Sequence, residues 1–103
     1  MKDTPYEELL IVIDNMIKLT RAGLLRWEKV LHRDGQYRAI GVNPQLIVVC
    51  LVSECGIKIR DNYSRVYADD LTVLCREIVK QVRQEEMKMI EVVELLRSTL
   101  PSL

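Results

Sequence analysis

Glycine and histidine are both scarce in this sequence, and where they occur argues against two kinds of chemistry. The four glycines, Gly23, Gly35, Gly41 and Gly56, are dispersed, so they cannot surround a phosphate with backbone amides. General acid–base catalysis at neutral pH most often uses histidine, and the single one, His32, lies beside a predicted turn that water reaches. No nucleophile, base and orienting group come together along the chain. We therefore predict a non-catalytic protein without a cofactor.

The chain also lacks an excess of either charge and any long apolar run. Fifteen basic residues balance 15 acidic ones, and the isoelectric point is about 6.6, so the overall field attracts neither nucleic acid nor an anionic membrane. The longest apolar runs, residues 9–13 and 46–52, are far shorter than the roughly 18 residues that cross a bilayer. With 103 residues, of which 49% are apolar, the sequence predicts one globular domain, residues 1–103, and no membrane partner.

Cysteine occurs only three times, an odd number, at Cys50, Cys55 and Cys75. The spacing of Cys50 and Cys55 matches neither a C-x-x-C pair nor a zinc-binding motif. Cys75 lies in line with Leu71 and Ile78, a position typical of a small buried apolar side chain. The acidic N-terminal segment lacks the features of a signal peptide. These observations predict reduced cysteines, no metal site and a cytoplasmic location.

A capping box begins the first predicted helix. The Thr4 hydroxyl can accept the amide of Glu7, whose side chain can return to the amide of Thr4, and Pro5 suits the first helical position. Apolar residues then follow at spacings of three and four as far as Thr20, and Gly23 supplies the left-handed residue that ends a helix.

Residues 25–31 alternate with a period of two before Arg33-Asp34-Gly35 breaks the run, which predicts a strand and a turn. A three-residue loop with Gly35 in the left-handed conformation places Trp27 opposite Gly41 and gathers the large side chains on one face. A two-residue loop places Trp27 opposite Val42 and mixes the two faces, so we favour the first register.

The rest of the sheet is predicted from three short segments. Residues 46–52 are apolar throughout and β-branched in part, which is typical of a central strand covered on both faces. Gly56 is expected to permit the next reversal, residues 61–64 a further turn, and residues 65–67 a short fifth strand. The sequence therefore predicts an α+β domain: a small antiparallel β-meander of three to five strands, covered by an N-terminal and a long C-terminal helix.

The last helix is predicted to begin with Asp69 or Asp70 as its cap and to continue to about Ser98. Twenty-nine helical residues span about 43 Å, whereas a compact chain of this length has a diameter of roughly 34 Å. Either the helix bends near Gln84 and folds back, or its second half meets a second chain. We favour the second alternative.

The apolar residues of this second half define a predicted homodimer interface. Residues 83–103 form a helical extension, and a single subunit has no surface left to cover it. A second copy, or another protein partner, would cover this face. The predicted interface residues are Met89, Ile90, Val93, Leu96 and Leu100.

Nucleic-acid binding is the alternative function. Residues 18–38 carry a local excess of positive charge with two aromatic residues among the cations, and such surfaces bind phosphates and stack on bases. The zero net charge makes this alternative the weaker one, and the favoured hairpin register instead turns Trp27 and Tyr37 inward as core residues. Its predicted contact residues are Arg26, Trp27, Lys29, Arg33 and Arg38.

The order of several short motifs resembles small bacterial proteins built as helix, β-meander and helix. The motifs are Leu-Thr-Arg-Ala-Gly at 19–23, Arg-Trp-Glu-Lys at 26–29, Tyr-Arg-Ala at 37–39, Ile-Lys-Ile-Arg-Asp at 57–61 and the leucine-bearing closing helix. The resemblance covers residues 9–82 and implies the same fold. No activity, ligand or catalytic residue comes with it, and the segment from Arg83 onward lies beyond it.

Overall fold

A computed structural model describes residues 5–101 as two helices and one five-stranded antiparallel sheet. The predicted α+β class is confirmed, and the strands follow one another across the sheet as a meander. The elements are α1 (Pro5–Arg21), β1 (Trp27–Lys29), β2 (Gln36–Ala39), β3 (Leu46–Cys50), β4 (Cys55–Ile59), β5 (Asn62–Arg65) and α2 (Asp69–Thr99).

Helix α1 has the predicted extent and lies parallel to the first half of α2. Its buried side chains are Ile13, Met16, Ile17 and Thr20, which share one face, and the helix ends before Gly23, whose φ is +74°. The capping residue Thr4 lies outside the described residues.

Two contacts fix the direction of α1. The Tyr6 hydroxyl donates to the Tyr67 carbonyl just before α2, at 3.3 Å, and the Arg21 Nε lies 3.3 Å from the Glu77 carboxylate. The two N-termini therefore lie together, and α2 continues after α1 has ended.

The β1–β2 hairpin differs from its predicted register by two residues. Trp27 pairs with Ala39, not with Gly41, because the loop has five residues: the Val30 amide donates to the Gln36 carbonyl. Gly35 is left-handed as expected, but His32 has a positive φ as well (+60°), which lengthens the loop. A shift of two residues keeps every side chain on its predicted face, since strand side chains alternate with period two.

Strand β3 occupies the centre of the sheet and is buried on both faces, as predicted. Val48 packs in the core under the helices, while Ile47 and Val49 lie on the opposite face and are also buried. The strand is shorter than the predicted 46–52, because Leu51 and Val52 belong to the following turn and are exposed.

Two turns lie elsewhere than predicted. Gly56 pairs with Val49 as part of β4 and does not form a reversal. The Tyr63 ring lies over it, and an added Cβ would lie 2.5 Å from the Tyr63 hydroxyl oxygen, so this strand position requires glycine. The reversal falls before it, where the Leu51 amide donates to the Glu54 carbonyl at 3.0 Å. The next turn is centred on Arg60 (φ +58°), so the fifth strand begins at Asn62, three residues earlier than expected.

Helix α2 begins without a side-chain cap. Ala68 is the N-cap residue, and its carbonyl accepts the amide of Leu71 at 3.1 Å, so the predicted capping role of Asp69 or Asp70 is wrong. Both aspartates occupy the first turn instead, where their charge is favourable near the positive end of the helix dipole.

The length of α2 determines the shape of the molecule. The helix continues through Gln84 to Thr99, so the alternative in which it folds back there is wrong. Its 31 residues measure about 46 Å. The described part of the chain is 67 Å long and 27 by 26 Å across, with a radius of gyration of 16.7 Å against about 13 Å for a compact chain of this size. The helix therefore extends well beyond the body of the domain.

The cysteines also differ from expectation. Cys75 is buried in α2 as predicted, but it is not reduced: it forms a disulfide with Cys50 of β3, and the two Cα atoms are 5.7 Å apart. Cys55 keeps a free thiol. The bond joins the sheet to α2, because both side chains lie on the face between the two layers.

Candidate self-association surface

The candidate site is the end of α2 that extends past the domain, residues 87–100, here called the α2 overhang. Its boundary is set by the last contacts that α2 makes with its own sheet. Three side chains, Gln81, Glu85 and Glu86, make these contacts with β1 and the segment before it.

Gln81 is the partly buried centre of this junction. Its Oε1 accepts the backbone amide of Trp27 at 2.8 Å, and its Nε2 donates to the carbonyls of Leu25 at 2.9 Å and Thr20 at 3.3 Å. The Trp27 indole donates in turn to the Thr20 hydroxyl at 3.0 Å. One glutamine side chain therefore satisfies the end of α1, the connecting segment and the edge strand together.

Two ion pairs follow on the next helical turn. Arg26 contacts the Glu85 carboxylate at 2.6 Å, and Lys29 contacts Glu86 at 2.7 Å. The hydrogen bond and the charge of Glu86 raise the pKa of Lys29 above its ordinary value of 10.5. These pairs are solvent-exposed and contribute little to stability, but they mark the last point at which β1 touches α2.

The overhang carries the same apolar stripe as the buried half of α2. At about 100° per residue, its members lie within about 60° of one another around the helix. Inside the domain the stripe is buried, at Leu71, Ile78 and Val82; on the overhang it continues as Met89, Val93, Leu96 and Leu100. The exposed fractions there are 64%, 39%, 49% and 61%. The apolar stripe of α2 therefore continues past the point at which the sheet and α1 stop covering the helix.

Four of the five predicted interface residues therefore lie on one face of the helix, and the fifth, Ile90, lies beside that face. Ile90 is 57% exposed, but the helical spacing places it outside the stripe. Val92, exposed on the other flank, is not among the five predicted interface residues, although its spacing of three from Met89 and four from Leu96 places it beside the stripe. Further apolar side chains, Met87 and Leu95, lie on other sides of the overhang.

The predicted nucleic-acid surface is largely engaged within the chain. Arg26 and Lys29 are paired with α2 as described, and the Arg38 Nε donates to Glu28 at 2.9 Å on the opposite face of the sheet. Trp27 is 4% exposed, so the predicted stacking on a base is wrong for this residue. Arg33 lies on the exposed β1–β2 loop.

Among the described residues 5–101, the side chains form no group of three metal ligands, and no helix is both long and apolar enough to cross a bilayer. In the comparisons with known proteins, no family model, no curated protein and no solved structure matches this chain.

Proposed function

We propose that this chain is a non-catalytic protein-interaction module that forms a homodimer through the α2 overhang. The observation that supports the proposal is the apolar stripe, which continues from the buried half of α2 onto a segment that the rest of its own domain does not cover. Exposed apolar stripes of this kind mark interaction surfaces, because covering them removes apolar area from water.

The spacing of the stripe suits a second copy of the same chain. Met89, Val93, Leu96 and Leu100 are separated by four, three and four residues, a pattern that reads the same in both directions. Two such helices placed antiparallel set Met89 opposite Leu100 and Val93 opposite Leu96 of the other copy. A twofold axis perpendicular to the helix relates the two patches, as a symmetric dimer requires.

The body of the domain favours the antiparallel arrangement over the parallel one. The stripe of the overhang faces the same side of α2 as the sheet and α1, because it continues the core stripe. A parallel partner helix on that side would run into the first chain's own sheet. An antiparallel partner leaves in the opposite direction, beyond Leu100, and its body lies clear of the first.

The charges of the overhang are compatible with this pairing. Lys88, Glu91, Glu94 and Arg97 recur every three residues and lie off the apolar stripe. The pairing therefore buries none of the four charges at the centre of the seam. They remain in water, so no desolvation penalty opposes the pairing.

The dimer is tested by sedimentation of two matched variants. Leu96→Glu places a charge in the seam, whereas Leu95→Glu places the same charge on the neighbouring residue, outside the stripe. We expect the wild type and Leu95→Glu to dimerise at about tens of micromolar, which corresponds to roughly 6 kcal/mol. Leu96→Glu is expected to stay monomeric. A monomeric wild type in this range, or equal behaviour of the two variants, would contradict the proposal.

The antiparallel geometry is tested by distances between identical labels on the two copies. On a Cys55→Ser background, a single label is attached at Glu94→Cys or at Lys88→Cys. The antiparallel seam places the two labels at residue 94 within a few ångströms along the axis, and those at residue 88 about 20 Å apart along it. A parallel seam would give the same short distance at both positions.

Two sequence-based statements stay predictions. One is the cytoplasmic location. The other is the nucleic-acid alternative, which has lost its stacking residue and whose signature would be oligonucleotide binding that weakens steeply with salt.

A further inference from the structure

All three cysteines of the chain meet at one corner of the domain. Cys50 ends β3, Cys55 begins β4 as its direct partner in the register, and Cys75 of α2 is bonded to Cys50 from the adjacent layer. Cys50 and Cys55 both pack against the same core cluster, so their side chains lie on the same face of the sheet.

The Cys50–Cys55 pair has the geometry of the narrower of the two antiparallel pair types. The Cys50 amide donates to the Gly35 carbonyl in the direction of β2, and the Cys55 carbonyl accepts the Val66 amide on the β5 side. The backbone groups of the two residues therefore point away from each other. Such pairs have Cα atoms about 4.5 Å apart, within the range of about 4.4–6.8 Å that a disulfide spans.

The free thiol of Cys55 is partly accessible and is held only weakly. It is neither buried nor fully exposed, and its Sγ contacts the Leu51 carbonyl at 3.9 Å, a weak hydrogen bond. Cys50, the sulfur between the two others, is also partly exposed, whereas Cys75 is buried. A nucleophile at Cys55 thus has an electrophilic sulfur directly across the strand pair.

We propose that these residues form a thiol–disulfide exchange site, in which Cys55 attacks the Cys50–Cys75 bond. The Cys55 thiolate forms a new bond to the Cys50 Sγ, and the bond from Cys50 to Cys75 breaks with its electron pair on the Cys75 Sγ. Cys75 takes up one proton for the one that Cys55 released. The products are a Cys50–Cys55 disulfide and a Cys75 thiol, with no net oxidation or reduction.

The exchange changes what the disulfide connects. The original bond joins β3 to α2, 25 residues apart in sequence, whereas the new bond joins two neighbouring strands of the sheet. After exchange, α2 is held to the sheet by packing and by the contacts of Gln81, Glu85 and Glu86 alone. This inference does not depend on dimerisation, and it supplies a covalent control over the helix that carries the overhang.

The test follows the position of the free thiol in the full-length protein. Trypsin leaves Cys50 and Cys55 in one peptide, residues 39–58, and Cys75 in another, residues 66–76. The protein, with its disulfide formed by oxidised glutathione where needed, is incubated at low or high pH, alkylated, and mapped without reduction. The starting isomer gives two linked peptides with the label on Cys55, and the exchanged isomer gives the label on Cys75.

We expect label to appear on Cys75 at a rate that rises about tenfold per pH unit below the thiol pKa, because the thiolate is the attacking species. The rate should not depend on protein concentration. The variant Cys75→Ser should form the Cys50–Cys55 disulfide on mild oxidation, and Cys55→Ser should keep the Cys50–Cys75 bond and take up no label.

Three results would overturn the proposal. The first is that the label stays on Cys55 at every pH. The second is that the rate at which Cys75 becomes labelled is proportional to protein concentration. The third is that the Cys75→Ser variant, on oxidation, forms disulfides only between molecules. If Cys75→Ser does not fold, the wild-type time course decides by itself. Sedimentation of Leu96→Glu measures the dimer separately, so the failure of one proposal is distinguishable from the failure of the other.

Discussion

At the scale of single residues, Gln81 illustrates how one side chain can hold two layers together. It accepts and donates hydrogen bonds to backbone groups of α1, the connecting segment and β1. The Trp27 amide and the Leu25 carbonyl are partly shielded from water and depend on the glutamine for partners, whereas the Thr20 carbonyl also accepts the Gly23 amide. The helical pattern of α2 shows Gln81 only as a polar residue next to Val82, and its partners lie more than 50 residues away in sequence.

We expect Gln81→Leu to lower the free energy of unfolding by about 2–3 kcal/mol, because it leaves the Trp27 amide and the Leu25 carbonyl unpaired. The matched control is Gln84→Leu, the same change at an exposed position of the same helix, which should stay within about 0.5 kcal/mol of wild type. Urea unfolding followed by circular dichroism measures both. Equal effects in the two variants would show that Gln81 acts through helix propensity only.

Two glycines with the same left-handed backbone conformation allow the cost of backbone strain to be distinguished from the cost of steric contact with neighbouring atoms. Gly35 and Gly41 have φ of +71° and +76°. An added Cβ at Gly41 would meet nothing within 4 Å, whereas at Gly35 it would lie 2.9 Å from the Cys50 carbonyl oxygen and 2.7 Å from a methyl carbon of Leu51.

Gly41→Ala should therefore cost only the left-handed strain, about 1–2 kcal/mol. Gly35→Ala should cost more by about 1–3 kcal/mol, because the loop must also move away from β3. Thermal or urea unfolding of the two single variants gives the difference directly. A smaller loss for Gly35→Ala than for Gly41→Ala would be inconsistent with the tight approach of this loop to Cys50.

At the scale of elements, the helices and the order of the strands follow from local patterns, and the register of the turns does not. Spacings of three and four with a terminal Gly23 predict α1, and the apolar run at 46–52 predicts the central strand, although the strand ends at Cys50. Turn length depends on which residue takes up a positive φ, and His32 and Arg60 do so without being glycine. Nothing in a local pattern distinguishes them from their neighbours.

The disulfide and the junction at β1 could not be predicted for the same reason. Cys50 and Cys75 face the core through separate patterns, one of period two and one of period 3.6, and their meeting depends on how sheet and helix are stacked. The pairing of Glu85 with Arg26 likewise depends on tertiary structure. The exposed apolar stripe at 89–100 was predictable because it needs only helical spacing and an estimate of helix length.

The disulfide gives a prediction about how strongly the layers are joined. A cross-link that closes a loop of about 25 residues stabilises a fold by roughly 3 kcal/mol through the entropy of the unfolded chain. We expect reduction to lower the free energy of unfolding by about this amount, as measured by urea unfolding with and without a phosphine reductant. The double variant Cys50→Ala/Cys75→Ala should be insensitive to the reductant, since its one remaining cysteine, Cys55, can form no disulfide within the chain. An unchanged wild type would contradict a stabilising role of this bond.

At the scale of the whole molecule, the proposed dimer would account for both the elongated shape and the exposed apolar stripe. The body of the domain is complete at Glu86, where the last ion pair to β1 lies. The overhang contributes about 20 Å of helix to the length of the molecule, and its apolar side chains remain in water in a single chain. Isolated helices of this length are marginal in water, so the second helix of the proposed dimer would stabilise the overhang.

Coupling of folding to association makes thermal stability depend on concentration. If the dimer is the folded form, its unfolding temperature rises with protein concentration, because mass action stabilises the species that binds a second copy. We expect this rise in the wild type and in Leu95→Glu. We expect a constant unfolding temperature in Leu96→Glu and in a chain shortened after Glu86. The shortened chain should also be less stable than the dimer but should keep the circular dichroism of the sheet. The proposal would be contradicted if the unfolding temperature of the wild type did not depend on concentration while the overhang remained fully helical by circular dichroism. The extended helix would then be stable without a partner.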